Sequence, residues 1–296
     1  MTTQQITGKT SLVGLIGWPI EHSLSPAMHN TAFAHLGIDW AYVPLPVQPD
    51  DVQQALKGLA ALNFVGVNVT VPHKQAVIRY LDEVSDAARI TGAVNTIHIR
   101  EGKFYGYNTD AHGFLNSLIE AGCHPKGLRI TVLGAGGAAR AVVFALARAQ
   151  AGPITVFNRT AARGAFLVED LAEAFPGIQL NFAPLTGEDL SALKDNVDLV
   201  INTTSVGMHP HIQSSPWPDD VPMPGHASYC DLVYNPLETL FLRTARLAGA
   251  TTIDGLGMLV HQGAYAFETW TGHTPPLDVM RQACMGKLKL DKAASD

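Results

Sequence analysis

Val132-Leu133-Gly134-Ala135-Gly136-Gly137-Ala138-Ala139-Arg140, followed at a distance by Ile154-Thr155-Val156-Phe157-Asn158-Arg159-Thr160, decides the fold. An apolar run, a GxGxxA turn and an Ala-rich amphipathic stretch read as strand, phosphate loop and helix. Gly134 permits the tight turn, Gly136 lets the backbone approach a pyrophosphate, and Ala139 in the third position still allows close packing of helix on strand. The helix beginning near Gly137, with Ala135 and Ala138 around its start, offers unpaired N–H groups and the positive end of its dipole to an anion. A free ribose 2'-hydroxyl usually selects Asp or Glu at the end of the next strand, about 20 residues on. Asn158, Arg159 and Thr160 stand there instead, with Arg163 close behind. Guanidinium forks and a hydroxyl suit a 2'-phosphate, so the loop reads as one for NADP rather than NAD. The bland alternatives are a glycine turn that merely closes a βα unit and two solvated helix-start arginines. A strand before, a helix after and a second apolar strand at the right spacing favour the dinucleotide.

At 296 residues the chain exceeds what one core usually serves, which predicts two domains. With 47% hydrophobic and 16% charged residues it can bury substantial cores, and a formal charge of -6 argues against a nucleic-acid partner. Cys123, Cys230 and Cys284 are odd in number, widely spaced and without a CxxC pair, so buried thiols of a reducing cytosol are expected rather than disulfides or a zinc site. His22, His29, His209 and His211 lack acidic or thiolate company at ligand spacing and read as surface or helix residues, with no metal. Met1 to Thr10 is mostly polar with no signal-peptide core behind it, and nowhere do about 18 apolar residues run uninterrupted. A soluble, cytoplasmic protein with a small-molecule substrate, no nucleic-acid and no membrane partner, is expected. Monomer and homodimer both remain open.

The pattern along the chain is α/β throughout. Ser11 to Gly17 predicts a strand, Ser25-Pro26 an N-cap with Pro at the first helical position, and Gly37 the end of that helix. Strands are expected at Trp40 to Val47, Phe64 to Val71, Ala93 to Arg100 and Phe104 to Tyr107, and a helix at Asp50 to Leu62. A helix over Ala111 to Ala121 then leads to the dinucleotide strand. Beyond Thr160 a helix should carry Phe166, Leu167, Leu171 and Phe175 on one face. Further strands are predicted at Ile178 to Phe182, Asp198 to Thr203, Ser228 to Val233 and Thr251 to Asp254, and a long loop at His209 to Gly225. Strands alternating with helices imply a parallel sheet covered on both faces. Leu256 to Thr271 reads as an apolar helix that packs back on the first domain, and Lys287 to Asp296 as a helix end and a frayed tail. The expected division is a substrate-binding catalytic domain of residues 1–109 plus 255–296 and an NADP-binding Rossmann domain of residues 110–254, with a cleft between them.

A nicotinamide cofactor moves a hydride, so an alcohol being oxidised also needs a group to take its hydroxyl proton. Asn68 to Lys74 ends a strand, Val94-Asn95-Thr96 lies in another, and Tyr107 to Asp110 falls where the chain crosses between domains. Lys74 and Asp110 together would handle that proton, because shielding loosens a lysine's hold on its proton and a carboxylate restores it. Their bland roles are a helix-start Lys and an N-capping Asp.

Nine segments, in order and over nearly the whole chain, resemble the motifs of the shikimate dehydrogenase family: His22 to Pro26, Asn68 to Lys74, Ala93 to Thr96, Asn108 to Asp110, Gly134 to Ala139, Asn158 to Thr160, Asn202 to Met208, Asp231 to Pro236 and Asp254 to Ala264. The resemblance implies a reversible NADP-linked interconversion of shikimate and 3-dehydroshikimate, on the route to chorismate and aromatic amino acids. It implies that Ser23 and Ser25 hold the substrate carboxylate, that Thr70, Lys74, Asn95, Asp110 and Gln262 hold the ring hydroxyls, and that Lys74 and Asp110 form the catalytic pair. It puts Tyr234 near the carboxylate, Met258 near the nicotinamide, and Thr203 and Gly255 on the cofactor side. A polyhydroxylated ring needs neutral donors and acceptors, which Thr70, Asn95 and Gln262 supply. Ser25 has helix N-capping as its competing role, which makes Ser23 the firmer ligand. A quinate/shikimate dehydrogenase using NAD or NADP is the near alternative, and a ligand sensor that keeps a Rossmann domain without catalysis is the distant one.

Overall fold

Alternation in Ser11–Gly17 (β1) sends Leu12 and Ile16 to one face of a sheet and Val13 and Leu15 to the other, both faces being covered. The computed structural model describes residues 6–293, and the chain divides into one unit of Met1–Thr109 with Val260–Asp296 and another of Asp110–Leu259. The first contains, after β1, α1 (Ser25–Leu36), β2 (Trp40–Pro46), α2 (Val52–Ala61), β3 (Gly66–Val69), β4 (Glu83–Val84), α3 (Asp86–Thr91), β5 (Thr96–Arg100) and β6 (Lys103–Tyr107). Its sheet runs β2-β1-β3-β5-β6-β4, with β1 parallel to β2 and β3, and β5 antiparallel to β3 and β6. Leu56 and Leu59 of α2 and Ala88 of α3 pack with Ile16, Val67, Val69 and Ile97 on one face. Gly37 ends α1 and Gly92 ends α3, each in the left-handed conformation that a side chain disfavours.

The second unit contains α4 (Thr109–Glu120), which starts one residue before the boundary, then β7 (Ile130–Leu133), α5 (Gly137–Arg148), β8 (Ile154–Asn158), α6 (Ala161–Ala174), β9 (Leu180–Pro184), α7 (Gly187–Ser191), β10 (Leu199–Asn202), β11 (Ser228–Asp231), α8 (Leu240–Leu247) and β12 (Thr251–Ile253). Its six strands are all parallel in the order β12-β11-β10-β7-β8-β9, the doubly wound arrangement in which the order reverses beside the first strand. Thr186 and Thr239 cap α7 and α8 through their hydroxyls. Helix α9 (Leu256–Thr271) runs from the second unit into the first, and α10 (Leu277–Ala293) packs on α1. Met280 and Cys284, one turn apart on α10, are fully buried. Among the described residues no helix is long and apolar enough to cross a membrane.

Several sequence expectations need correction. The N-cap of α1 is Leu24, not Ser25; Ser25 is the first helical residue, and its N–H is received by the Ser23 hydroxyl at 3.3 Å. Phe166 is 63% exposed, because Leu167 and Leu171, four apart, define the buried stripe of α6 and Phe166 lies about 100° round the helix from Leu167. β3 stops at Val69: Thr70 still donates to Ile16, but Pro72 brings no ladder N–H and Val71 is exposed. Val94 and Asn95 precede β5 rather than lying in it, the strand read at Ile178 to Phe182 is displaced to β9, and Pro49–Asp51 is a separate 3₁₀ turn before α2. His29 is a helix residue as expected, yet it is fully buried. Of the tail read as frayed, α10 continues to Ala293, and residues 294–296 lie outside the described residues.

Candidate active site

In the second unit the ends of β7, β10 and β11 are tied together by side chains. Gly134 adopts φ +106, and a Cβ there would stand 2.8 Å from Thr203 Oγ1 and 2.9 Å from Thr204 Cγ2, so the first glycine is required both for its backbone and for the close approach. Thr203 donates its backbone N–H at 2.9 Å and its hydroxyl at 2.7 Å to the Leu133 carbonyl. The Asn202 carbonyl oxygen accepts from the Thr204 N–H and hydroxyl, while its Nδ2 donates to Asp231 at 2.9 Å. Asp231 is wholly buried and also accepts from Thr239 at 2.7 Å and from the Val233 N–H at 3.0 Å. Burial pushes its carboxyl up to about 6 against those hydrogen bonds.

Helix α5 begins beside this knot without a side-chain cap: Gly136 is its N-cap and no acidic residue lies in its first turn. A Cβ at Gly136 or Gly137 would meet nothing within 4 Å and both glycines are exposed, so the start of α5 leaves room for an anion. Ala135 and Ala138 flank that opening, half-buried. At the end of β8, Asn158 Nδ2 donates to the Thr160 carbonyl at 2.8 Å and shapes the turn that carries Arg159, Thr160 and Arg163, all three exposed. Among the described residues neither arginine has an acidic partner, in contrast to Arg140, which pairs with Asp170. An uncapped helix start and two uncommitted guanidinium groups are the donors that a dinucleotide with a 2'-phosphate needs. Gly255 lets the start of α9 pass the end of β11, since a Cβ there would lie 2.4 Å from the Leu232 carbonyl oxygen. Met258, in the first turn of α9, and Tyr234 are half-buried in the same unit, as is Asp110 near the start of α4.

Most of the polar side chains expected to hold a substrate lie in the first unit. Ser23 and Ser25 stand at the start of α1, and because among the described residues the Ser23 hydroxyl only receives a hydrogen from Ser25 N–H, its own hydrogen remains for an incoming acceptor. Thr70 is pinned by backbone bonds to Ile16 and His73, its methyl lies over Gly17, and its half-buried hydroxyl has no partner among the described residues. The turn that follows holds Lys74. His73 anchors it by donating from Nε2 to the Val47 carbonyl at 2.7 Å, the only direction a carbonyl allows, and the Lys74 carbonyl accepts from Val94 N–H at 2.8 Å. That last bond sets the lysine turn beside the segment of Asn95. Asn95 donates to the Thr109 hydroxyl at 2.8 Å and to Gln262 Oε1 at 3.4 Å, and its own oxygen receives the Thr109 N–H at 2.7 Å.

Sequence reasoning passed over the side chains behind these. Asn68 faces away from Val67 and Val69, opposite Thr96 on β5, and donates to the Thr96 hydroxyl at 3.0 Å and the Asn95 carbonyl at 3.2 Å. A polar residue between two fully buried valines was the available signal. Among the described residues no group of three or more His, Cys, Asp or Glu could hold a metal ion.

Residues 15–97 match the shikimate dehydrogenase substrate binding domain, residues 119–215 the shikimate / quinate 5-dehydrogenase family and residues 255–285 the shikimate 5'-dehydrogenase C-terminal domain. The chain is 46% identical over 286 residues to the shikimate dehydrogenase (NADP(+)) of Methanothermobacter thermautotrophicus, covering 97% of this chain and all of the relative. It resembles the crystal structure of shikimate 5-dehydrogenase from Thermus thermophilus in complex with NADP(H) and shikimate at a TM-score of 0.85 and 39% identity, over 94% of this chain and 100% of the other. Quinate dehydrogenase from Corynebacterium glutamicum in complex with NAD gives a TM-score of 0.86 at 31% identity, over 94% and 99%. This chain belongs to the shikimate dehydrogenase family.

Proposed function

We infer that this protein is an NADP-dependent oxidoreductase that interconverts shikimate and 3-dehydroshikimate in chorismate and aromatic amino acid biosynthesis. The observation that carries the reading is the combination, within a chain of this family, of an uncapped helix start at Gly136 with exposed Arg159 and Arg163, which have no acidic partner among the described residues, where NAD would call for a carboxylate. Bound there, NADP+ supplies the hydride acceptor. The Asp110–Leu259 unit is its holder: Gly134 to Ala138 take the pyrophosphate, Asn158, Arg159, Thr160 and Arg163 the 2'-phosphate, and Thr203, Gly255 and Met258 the nicotinamide side. The other unit receives the substrate. Ser23 and Ser25 hold its carboxylate with Tyr234 nearby, Thr70, Asn95 and Gln262 hold its ring hydroxyls, and Lys74 with Asp110 takes the hydroxyl proton during oxidation and returns it in the reverse direction. The reading is of a cytoplasmic enzyme, monomer or homodimer, acting on a free small molecule.

The quinate dehydrogenase likeness makes the second reading an enzyme that also accepts quinate or uses NAD. Steady-state rates for shikimate and quinate with NADP+ and NAD+ separate the two. The highest kcat/KM is expected for shikimate with NADP+; a higher value for quinate with NAD+ would overturn the choice. In the same assay Lys74→Ala is expected to cut kcat by roughly 10²- to 10⁴-fold with KM much less affected.

A further inference from the structure

Tyr42 lies on β2 and is 2% exposed, yet three different groups hold it in place. Its backbone is clamped from both sides by Asn30 of α1, which accepts the Tyr42 N–H at 2.8 Å and donates to the Tyr42 carbonyl at 2.9 Å. Its ring lies flat against His29, with centroids 4.5 Å apart and an interplanar angle of 0°. His29 is fully buried and neither of its ring nitrogens has a hydrogen-bond partner among the described residues, so the imidazole serves here as a flat wall. The hydroxyl donates its one hydrogen to Asn68 Oδ1 at 2.8 Å. Beyond Asn68 the chain of bonds continues to Thr96 and the Asn95 carbonyl, and from Asn95 to Thr109 and Gln262.

We propose that Tyr42 is a positioning residue for the substrate: its buried hydroxyl, with ring and backbone held by His29 and Asn30, fixes Asn68 and through it the Asn95 segment, so that the grip on the ring hydroxyls is set from behind. The proposal rests on the reading of Asn95 as a substrate ligand. Every link of the relay lies within the first unit, so it is preformed in the polypeptide and does not wait for cofactor. Without the phenol oxygen, Asn68 Oδ1 is left buried and unsatisfied, and the amide loses one of the three bonds that fix its orientation.

Tyr42→Phe keeps the ring and its stack on His29 and removes only the relay. The KM for shikimate is expected to rise about tenfold, with kcat lowered less than about threefold and the KM for NADP+ unchanged. Thr96→Val, which breaks the same relay with an isosteric side chain further along, is expected to give the same pattern. The double variant Tyr42→Phe/Thr96→Val should lose clearly less than the product of the two single losses, since both break one relay. A shikimate KM within about twofold of wild type in either single variant, a parallel rise in the NADP+ KM, or multiplicative losses would overturn the proposal. An inactive wild type would overturn the substrate reading as well, whereas an active wild type with an unaltered Tyr42→Phe variant would overturn this proposal alone.

Discussion

Arg159 is the side chain on which the proposed grip on the 2'-phosphate turns. It is exposed, it has no acidic partner among the described residues, and it follows the strand end where a carboxylate would repel a 2'-phosphate. Arg159→Ala is expected to raise the KM for NADP+ by about 10- to 100-fold, the worth of a charge-assisted hydrogen bond, and to leave the KM for NAD+ nearly unchanged. Steady-state titration of both cofactors checks this, and equal losses for both would make Arg159 a structural residue. The place of Arg159 just after β8 is readable in sequence because it depends on neighbours a few positions away, as is the tight turn at Gly134. Tyr42 is not, because its alternation in β2 reads as an ordinary core aromatic and its partner Asn68 lies 26 residues away on a strand that is not its neighbour. The misreading of Ser25 has the same root: a Ser before Pro looks like a cap, and only the fold shows that the helix begins one residue earlier, after Leu24, with Ser25 buried.

Elements with a long, strong period were legible, and short ones were not. β1 and α9 fall where their patterns put them, whereas α3, α7 and β4, spanning less than two turns or two residues, carry too little periodicity to stand out. The mixed first sheet was also hidden, since the antiparallel pairing of β3 with β5 joins strands separated by the lysine turn and α3. The docking of α9 on that sheet hinges on Gly66 of β3, which faces Trp270. The indole N–H of Trp270 reaches across to the Ile97 carbonyl at 3.0 Å, and a Cβ on Gly66 would stand 2.2 Å from that nitrogen and 2.4 Å from that carbonyl oxygen. Strand propensity alone would favour Gly66→Ala. The clash with backbone wins instead, and a loss of about 2–3 kcal/mol is expected, read as a lower urea midpoint at unchanged slope. A midpoint equal to or above wild type would mean that α9 shifts without cost.

At the scale of the whole molecule, buried titratable groups set how stability follows pH. Burial lowers His29 to about 3, and burial with the nearby Arg100 charge lowers His98 to about 4, both from 6.5. Below 6.5 the unfolded chain therefore binds more protons than the folded one, and stability falls with falling pH, by about 1.4 kcal/mol per pH unit for His29. Asp231 acts in the opposite sense between about 6 and 3.8, because its folded carboxyl is protonated first. Asp198, held low by its hydrogen bonds from Arg129, adds a further loss below 3.8. Urea midpoints should stay level above 6.5 and drop below it, with a smaller drop in His29→Phe; midpoints that rise on acidification would contradict the assignment. The division of the chain has a consequence during synthesis. Met1–Thr109 is synthesised before the second unit, and its partner segment Val260–Asp296, which brings α10 onto α1, only after it. The nascent amino-terminal sheet must wait, one apolar side bare, while the intervening parallel sheet is already complete, and that interval is when a chaperone has most to protect.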